Sequence, residues 1–105
     1  MVMDKEGALV DQLLDKTRRR SITWDPTAKN DEFVSTLGGR VSFTIGAWRD
    51  TEILTVRDEF DRVLLTIESD SILQVSALYA EARRVALNVD ESLDEILDQL
   101  RRMDA

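Results

Sequence analysis

The sequence predicts a single α+β domain over residues 1–105, with an N-terminal helix, an antiparallel meander sheet of four to five strands, and two C-terminal helices packed on one face. Two observations predict this class. Apolar residues recur at helical spacing up to about residue 20 and again from residue 71, whereas they alternate with period two in between. The alternating segments are short and are joined by short polar turns, which is typical of an antiparallel meander.

The first helix is predicted from Asp4 to about Arg20. Acidic residues lie in its first turn and basic residues in its last, which is the order that stabilises the helix dipole. We therefore interpret Arg18, Arg19 and Arg20 as a helix end. The alternative is a local anion or partner site, with Trp24 and Arg40 as neighbours. The predicted buried face comprises Leu9, Val10, Leu13, Leu14 and Thr17.

The middle of the chain is predicted to form the sheet. In "SITWD", Ile22 and Trp24 share one face, and Pro26 is predicted to end this strand because proline cannot donate to a ladder. The later strands are "EFVSTL", "RVSFTIGAW", "EILTVR" and "RVLLTIE", with a tight turn at Gly38-Gly39. The predicted inward rows are Val41, Phe43, Ile45, Val63, Leu65 and Ile67.

Two C-terminal helices follow. The first is predicted from Ser71, capped by Ser69 or Asp70, and it ends where Asn88 tolerates a left-handed conformation. Its apolar stripe comprises Ile72, Val75, Leu78, Tyr79, Ala82, Val85 and Ala86. Asp90 is predicted to cap the final helix, about Glu91 to Met103. That helix carries Leu93, Ile96, Leu97 and Leu100 on one face and acidic residues on another.

Composition excludes several functions. The chain has 14 basic and 21 acidic side chains, a net charge of −7, which opposes affinity for nucleic acid or an anionic membrane. It has no Cys and no His, so thiolate chemistry and the usual general base are absent. We therefore expect no enzyme activity, no catalytic residue, no cofactor and no metal site.

The remaining candidate residues are predicted to contact a partner. Trp48 lies at a strand end beside Arg49, where an aromatic ring is expected to be exposed. The acidic side of the last helix is interpreted as a solvated face, and the alternative is a partner-binding face. The candidate partner-binding residues are Arg18, Arg19, Arg20, Trp48, Asp94 and Asp98.

Two motifs carry a resemblance to known proteins. An Ile-x-Trp in "SITWD" follows the first helix, and the tail "LYAEARRVALNVDESLDEILDQL" spans residues 78–100. Together with the meander between them, they resemble small bacterial proteins whose activity is not established. The resemblance covers most of the chain and implies a compact α+β fold in the bacterial cytoplasm. It transfers no catalytic or binding residue to this sequence.

These observations favour a non-enzymatic bacterial protein-interaction module, of the immunity, antitoxin or secretion-chaperone kind. The alternative is a small-molecule binding or sensing domain with a pocket between sheet and helices. We also expect a homodimer that uses the sheet or the C-terminal helices, because the sheet has two edges and two strands carry apolar residues on both faces. The first ten residues lack a signal-peptide pattern, and no apolar run approaches the roughly 20 residues of a membrane span, so a cytoplasmic protein is expected.

Overall fold

The computed structural model describes residues 4–103, so the first three and last two residues of the predicted domain lie outside the described residues. The predicted α+β class is confirmed, with an N-terminal helix, a five-stranded antiparallel sheet and two C-terminal helices. The strands are neighbours in chain order, which makes the sheet a simple meander. The elements are α1 Lys5–Arg18, β1 Asp25–Pro26, β2 Glu32–Leu37, β3 Val41–Trp48, β4 Thr51–Arg57, β5 Val63–Glu68, α2 Gln74–Ala86 and α3 Val89–Met103.

The register of the sheet aligns its apolar residues into a row across four strands. Phe33 lies opposite Ile45, Ile45 opposite Leu54, and Leu54 opposite Ile67. All four side chains are buried, because alternation directs them to the same face and the helices cover that face. The opposite face faces solvent and carries the threonine row Thr44, Thr55 and Thr66.

The predicted inward rows are confirmed in part. Phe43, Ile45 and Ile67 are buried, and Val41 and Leu65 pack against the core with part of their surface exposed. The prediction for Val63 is wrong, since its side chain is 56% exposed. Strand β5 has one extra residue in its pairing with β4, and this bulge places Val63 opposite the outward-facing Arg57.

Helix α1 is fixed to the loop after it by a pair of buried hydrogen bonds. The Thr17 hydroxyl donates to the carbonyl oxygen of Leu13 at 2.7 Å and accepts from the Trp24 indole nitrogen at 3.0 Å. The polar atom of Trp24 is therefore satisfied inside the core, where an unpaired donor would be costly. The predicted packing role of Trp24 is confirmed, since only 2% of the residue is exposed.

One prediction in this segment is wrong. Residues 21–24 form no strand, and only Asp25 and Pro26 pair, with Val34 and Phe33 respectively. Pro26 is the last residue of β1, as predicted, and its missing N–H is tolerated there because β1 is an edge strand. In addition, α1 ends at Arg18, slightly before the predicted boundary.

The C-terminal helices also begin at unexpected residues. Helix α2 starts at Gln74, and no side chain caps it. Ser69 is occupied elsewhere, since its hydroxyl accepts from the backbone N–H of Glu52 at 3.1 Å. The predicted break at Asn88 is confirmed by its φ of 51°. Helix α3 begins at Val89, so Asp90 lies in the first turn and is not the cap.

Helices α1 and α2 pack against each other, and α2 contacts four of the five strands. Val75, Leu78 and Ala82 of α2 are fully buried, as are Val10 and Thr17 of α1. Helix α3 contacts α2 but has no buried residue. The hydrophobic core therefore lies between the sheet and the first two helices.

Replacing Phe43 by Ala is expected to lower the free energy of unfolding by about 3–5 kcal/mol, because it opens a cavity in the centre of this core. The control is Val63→Ala on the same sheet, which should change it by less than about 0.5 kcal/mol because the side chain faces solvent. Urea unfolding of both variants measures the difference. Equal losses would contradict the observed orientation of β5.

Candidate functional site

Helix α3 carries a large apolar surface that the described residues leave uncovered. None of its 15 residues is buried. The exposed fractions of its apolar residues are Leu93 45%, Ile96 51%, Leu97 47%, Leu100 53% and Met103 79%. Soluble proteins rarely expose a contiguous apolar surface on one helix unless it binds something.

The spacing of these residues is that of a coiled-coil seam. Val89, Leu93, Ile96, Leu100 and Met103 are separated alternately by four and three residues, which keeps them in line along a helix of about four turns. We call these five residues the α3 seam. Leu97 lies beside the seam and widens the apolar face. The geometry suits contact with another helix.

Acidic residues occupy the side of α3 away from the seam. Asp94 and Asp98, predicted from the sequence as partner-binding residues, lie there together with Glu91 and Glu95, and all four are exposed. Asp98 forms an ion pair with Arg102 one turn later, at 2.7 Å. The structure therefore separates the candidate acidic residues from the apolar surface on the same helix.

A cluster of ion pairs attaches the start of α3 to the rest of the protein. Asp90 accepts hydrogen bonds from Arg84 of α2 and from Arg20, the latter at 3.3 Å. Arg20 also lies 3.6 Å from Glu81 of α2. The hydrogen bond and charge of Arg84, and then those of Arg20, hold the pKa of Asp90 below its ordinary value.

The three arginines at the end of α1 have different environments. Arg18 is exposed in the last turn, and Arg19 forms an ion pair with Asp15 at 3.0 Å. Arg20 adopts a left-handed backbone with φ of 59° and donates to the carbonyl oxygen of Thr17 at 2.9 Å. This geometry is that of a helix end, as the sequence indicated. A role of these arginines in binding a partner stays a prediction.

The structure does not assemble the alternative anion site around Arg20. Trp24, one predicted neighbour, is buried and bonded to Thr17. Arg40, the other, lines a separate cleft beside Asp58 and Asp61. Arg20 itself is already paired with carboxylates, which reduces the positive charge available to an added anion.

Trp48 lies at the end of β3 and is 62% exposed, as expected for that position. The Arg49 guanidinium lies 4.4 Å from the centre of its ring, within the range of a cation–π contact. The indole borders a groove of about 340 Å³ on the solvent-facing side of the sheet. That groove is lined by charged residues, among them Lys29, Glu32 and Arg57, and by apolar residues such as Ile53.

A smaller cleft of about 220 Å³ lies between α1 and the sheet. It is lined mainly by apolar side chains, including Leu9, Leu13, Ile22, Leu37 and Phe43. Its position is the one that the small-molecule alternative requires. Its volume is below the roughly 300–1,000 Å³ of most ligand sites.

Residues 4–103 contain neither a cluster of metal-ligating side chains nor a helix suited to a membrane. No group of three or more acidic residues within residues 4–103 is arranged to hold a metal ion. Within the same range, no helix combines the length and the hydrophobicity needed to cross a membrane.

No family model, curated protein or solved structure matches this chain. The resemblance of its two motifs to small bacterial proteins therefore stays a prediction. The sequence pointed to the acidic side of α3 as the candidate partner surface and named the C-terminal helices only as one of two possible dimer surfaces. The signal for the seam was present in the four-three spacing, but spacing alone does not show that a face is uncovered.

Replacing Arg20 by Gln should destabilise the fold more than replacing Arg18, by about 0.5–1 kcal/mol. Of the two, only Arg20 forms ion pairs with α2 and α3 and donates to a carbonyl oxygen at the end of α1. Thermal or urea unfolding of the two single variants measures this. Equal effects would show that the contacts of Arg20 add nothing beyond the helix dipole.

Replacing Arg84 by Gln should raise the pKa of Asp90 toward its ordinary value, as read by NMR titration of the side-chain carboxyl. Arg83→Gln is the matched control and should leave that pKa unchanged. Because the pKa is lowered by folding, the contribution of Asp90 to stability is complete above about pH 4 and is lost as the pH falls through the folded-state pKa. A titration of Asp90 that is identical in wild type and Arg84→Gln would contradict the ion-pair assignment.

Proposed function

We propose that this protein is a non-enzymatic protein-interaction module that binds its partner through the α3 seam. One observation carries the proposal. The α3 seam is apolar along its whole length, and the rest of the described chain buries none of its residues. An isolated helix of about 15 residues is marginal in water, and packing of its apolar face supplies most of the stability of such helices. A partner that covers the seam would stabilise α3 in this way.

The charge distribution favours a protein over a membrane or a nucleic acid. Interfacial membrane helices place Lys and Arg on the polar side, where they meet anionic lipid. Here that side presents Glu91, Asp94, Glu95 and Asp98. The same carboxylates, within a net charge of −7, would repel phosphate backbones. The seam itself is uncharged and suits an apolar protein surface.

The residue types and their ionisation support a non-enzymatic role. The sequence lacks both His and Cys. Backbone and side-chain hydrogen bonds from Arg62 lower the pKa of Asp58, and Arg84 lowers that of Asp90, so both stay ionised at neutral pH. Burial raises the pKa of Tyr79, which keeps the phenol protonated. None of these three groups gains acid–base capacity near pH 7.

Bacterial immunity proteins, antitoxins and secretion chaperones are the classes that this proposal favours. Proteins of these classes act by binding another protein. A small acidic domain with one exposed apolar helix face suits that role. The motif resemblance supports a bacterial cytoplasmic setting, and the absence of Cys is compatible with it.

The second candidate is a domain that binds a small apolar molecule. The apolar cleft between α1 and the sheet favours it. Few polar groups converge there to orient a ligand, and the volume is small, so this function ranks behind protein interaction. The wild type should then quench an apolar fluorescent probe saturably. A Leu13→Trp variant, whose indole fills the cleft, should lose this quenching. That result would support the small-molecule function.

The test replaces seam residues without changing charge or helix propensity. Ile96→Gln with Leu100→Gln should abolish capture of partner proteins by the immobilised chain from a bacterial host lysate, read by mass spectrometry. The control is Asp94→Gln with Asp98→Gln, which introduces the same residues on the acidic side. We expect the control to retain the wild-type partner set.

Folding should be preserved in both double variants, because neither pair is buried, and the melting temperature should change little. Loss of partners in the Asp94/Asp98 variant alone would move the binding surface to the acidic side. A partner set that is unchanged in both variants would overturn the seam as the binding surface.

A further inference from the structure

We infer that the α3 seam binds a second copy of this chain, with the two α3 helices antiparallel. This inference rests on the proposed function, because it names the partner of the same seam. It is carried by the residues beside the seam, by the order of charges along α3 and by the position of the domain at one end of the helix.

The residues that flank the seam allow two acidic chains to approach each other. Within Val89–Met103, the positions that flank the seam in its heptad are Asp90, Ser92, Leu97 and Gln99. Among these four, only Asp90 is charged, and Arg20 and Arg84 are paired with it. The other carboxylates of α3 lie away from the seam. Two copies can therefore meet along it without placing like charges in contact, even though each has a net charge of −7.

The order of charges along α3 selects the antiparallel direction. The first half of the helix contains Glu91, Asp94 and Glu95, whereas Arg101 and Arg102 lie in the last turn. An antiparallel pair brings the acidic half of one helix closer to the basic end of the other than a parallel pair does, and it opposes the two helix dipoles. Because these charged residues lie away from the seam, they act on the direction through the field of the whole helix and not through contacts.

One antiparallel register covers the four most exposed seam residues of each chain. It pairs Leu93 with Met103 of the second copy, and Ile96 with Leu100 of the second copy. The same register brings Asp94 and Glu95 level with Arg101 and Arg102 of the second copy. Each domain is attached near Val89, so the two domains lie at opposite ends of the helix pair and do not collide.

Two other exposed apolar sites within residues 4–103 are less suited to self-pairing. Val63 and Leu64 are exposed on β5, which is short and interrupted by a bulge, a feature that disfavours edge-to-edge pairing. Trp48 is already covered on one side by Arg49 and borders a charged groove. The α3 seam is longer and uncharged, and its residues can pair with the same residues of a second copy.

Sedimentation equilibrium at tens of micromolar is the first test. The wild type should have twice the 12.0 kDa mass of the chain. Ile96→Gln with Leu100→Gln should have the mass of one chain and keep the circular dichroism of a folded domain. The control Leu64→Gln, an exposed apolar residue of β5, should stay dimeric. A monomeric wild type, or a dimer lost only in Leu64→Gln, would overturn the inference.

Disulfide cross-linking tests direction and register, and the Cys-free sequence makes each introduced thiol unambiguous. In the proposed register, two Gln99 positions are offset along the axis by about 3 Å, and two Ser92 positions by about 18 Å, from the rise per residue. Both lie on the same flank of the seam. Gln99→Cys should therefore give a covalent dimer under mild oxidation, and Ser92→Cys should not.

The cross-linking outcomes separate the alternatives. Cross-linking through Ser92→Cys but not Gln99→Cys would overturn this register, and efficient cross-linking through Leu93→Cys would indicate a parallel pair and overturn the direction. A monomer that captures another protein through the seam would overturn self-pairing while leaving the proposed function standing. A monomer whose seam variants also bind the wild-type partner set would overturn both.

Discussion

The sheet has only one apolar face, and the rest of the architecture depends on how that face is covered. The row Phe33, Ile45, Leu54 and Ile67 must be shielded from water, because its burial is the main favourable contribution to folding. Helices α1 and α2 pack side by side and cover this row together. The threonine-rich opposite face needs no cover.

In this arrangement, helix α3 has no hydrophobic core to pack into. With the core filled by α1 and α2, the apolar residues of α3 stay partly exposed and contribute no buried residue. Ion pairs around Asp90 orient its first turn, but such partly exposed pairs supply little stability. A molecule that covers the α3 seam would therefore add stability to this helix beyond what these ion pairs supply.

Charge is distributed so that solubility and association do not conflict. The carboxylates of α3 lie away from the seam, where they keep an acidic protein in solution. The seam and its flanks are almost free of unpaired charge. The basic residues of α1 are used internally, since Arg20 joins the end of α1 to α2 and α3. The segment that first suggests an anion site thus contributes to the attachment of the proposed binding helix.

The sequence by itself determined the elements, their order and which residues share a face, because periodicity is a local property. It identified the core residues Phe43, Ile45 and Trp24, and the break at Asn88. It did not determine the exposure of Val63, whose orientation depends on a bulge in the pairing with β4. It also did not determine the start of β1, because only Asp25 and Pro26 find partners on β2. The same limit applies to the seam. The sequence pattern of a helix with the apolar residues Leu93, Ile96 and Leu100 is the same whether a sheet or a separate molecule covers that face. Only the tertiary structure shows that α1 and α2 already fill the core and leave this face exposed.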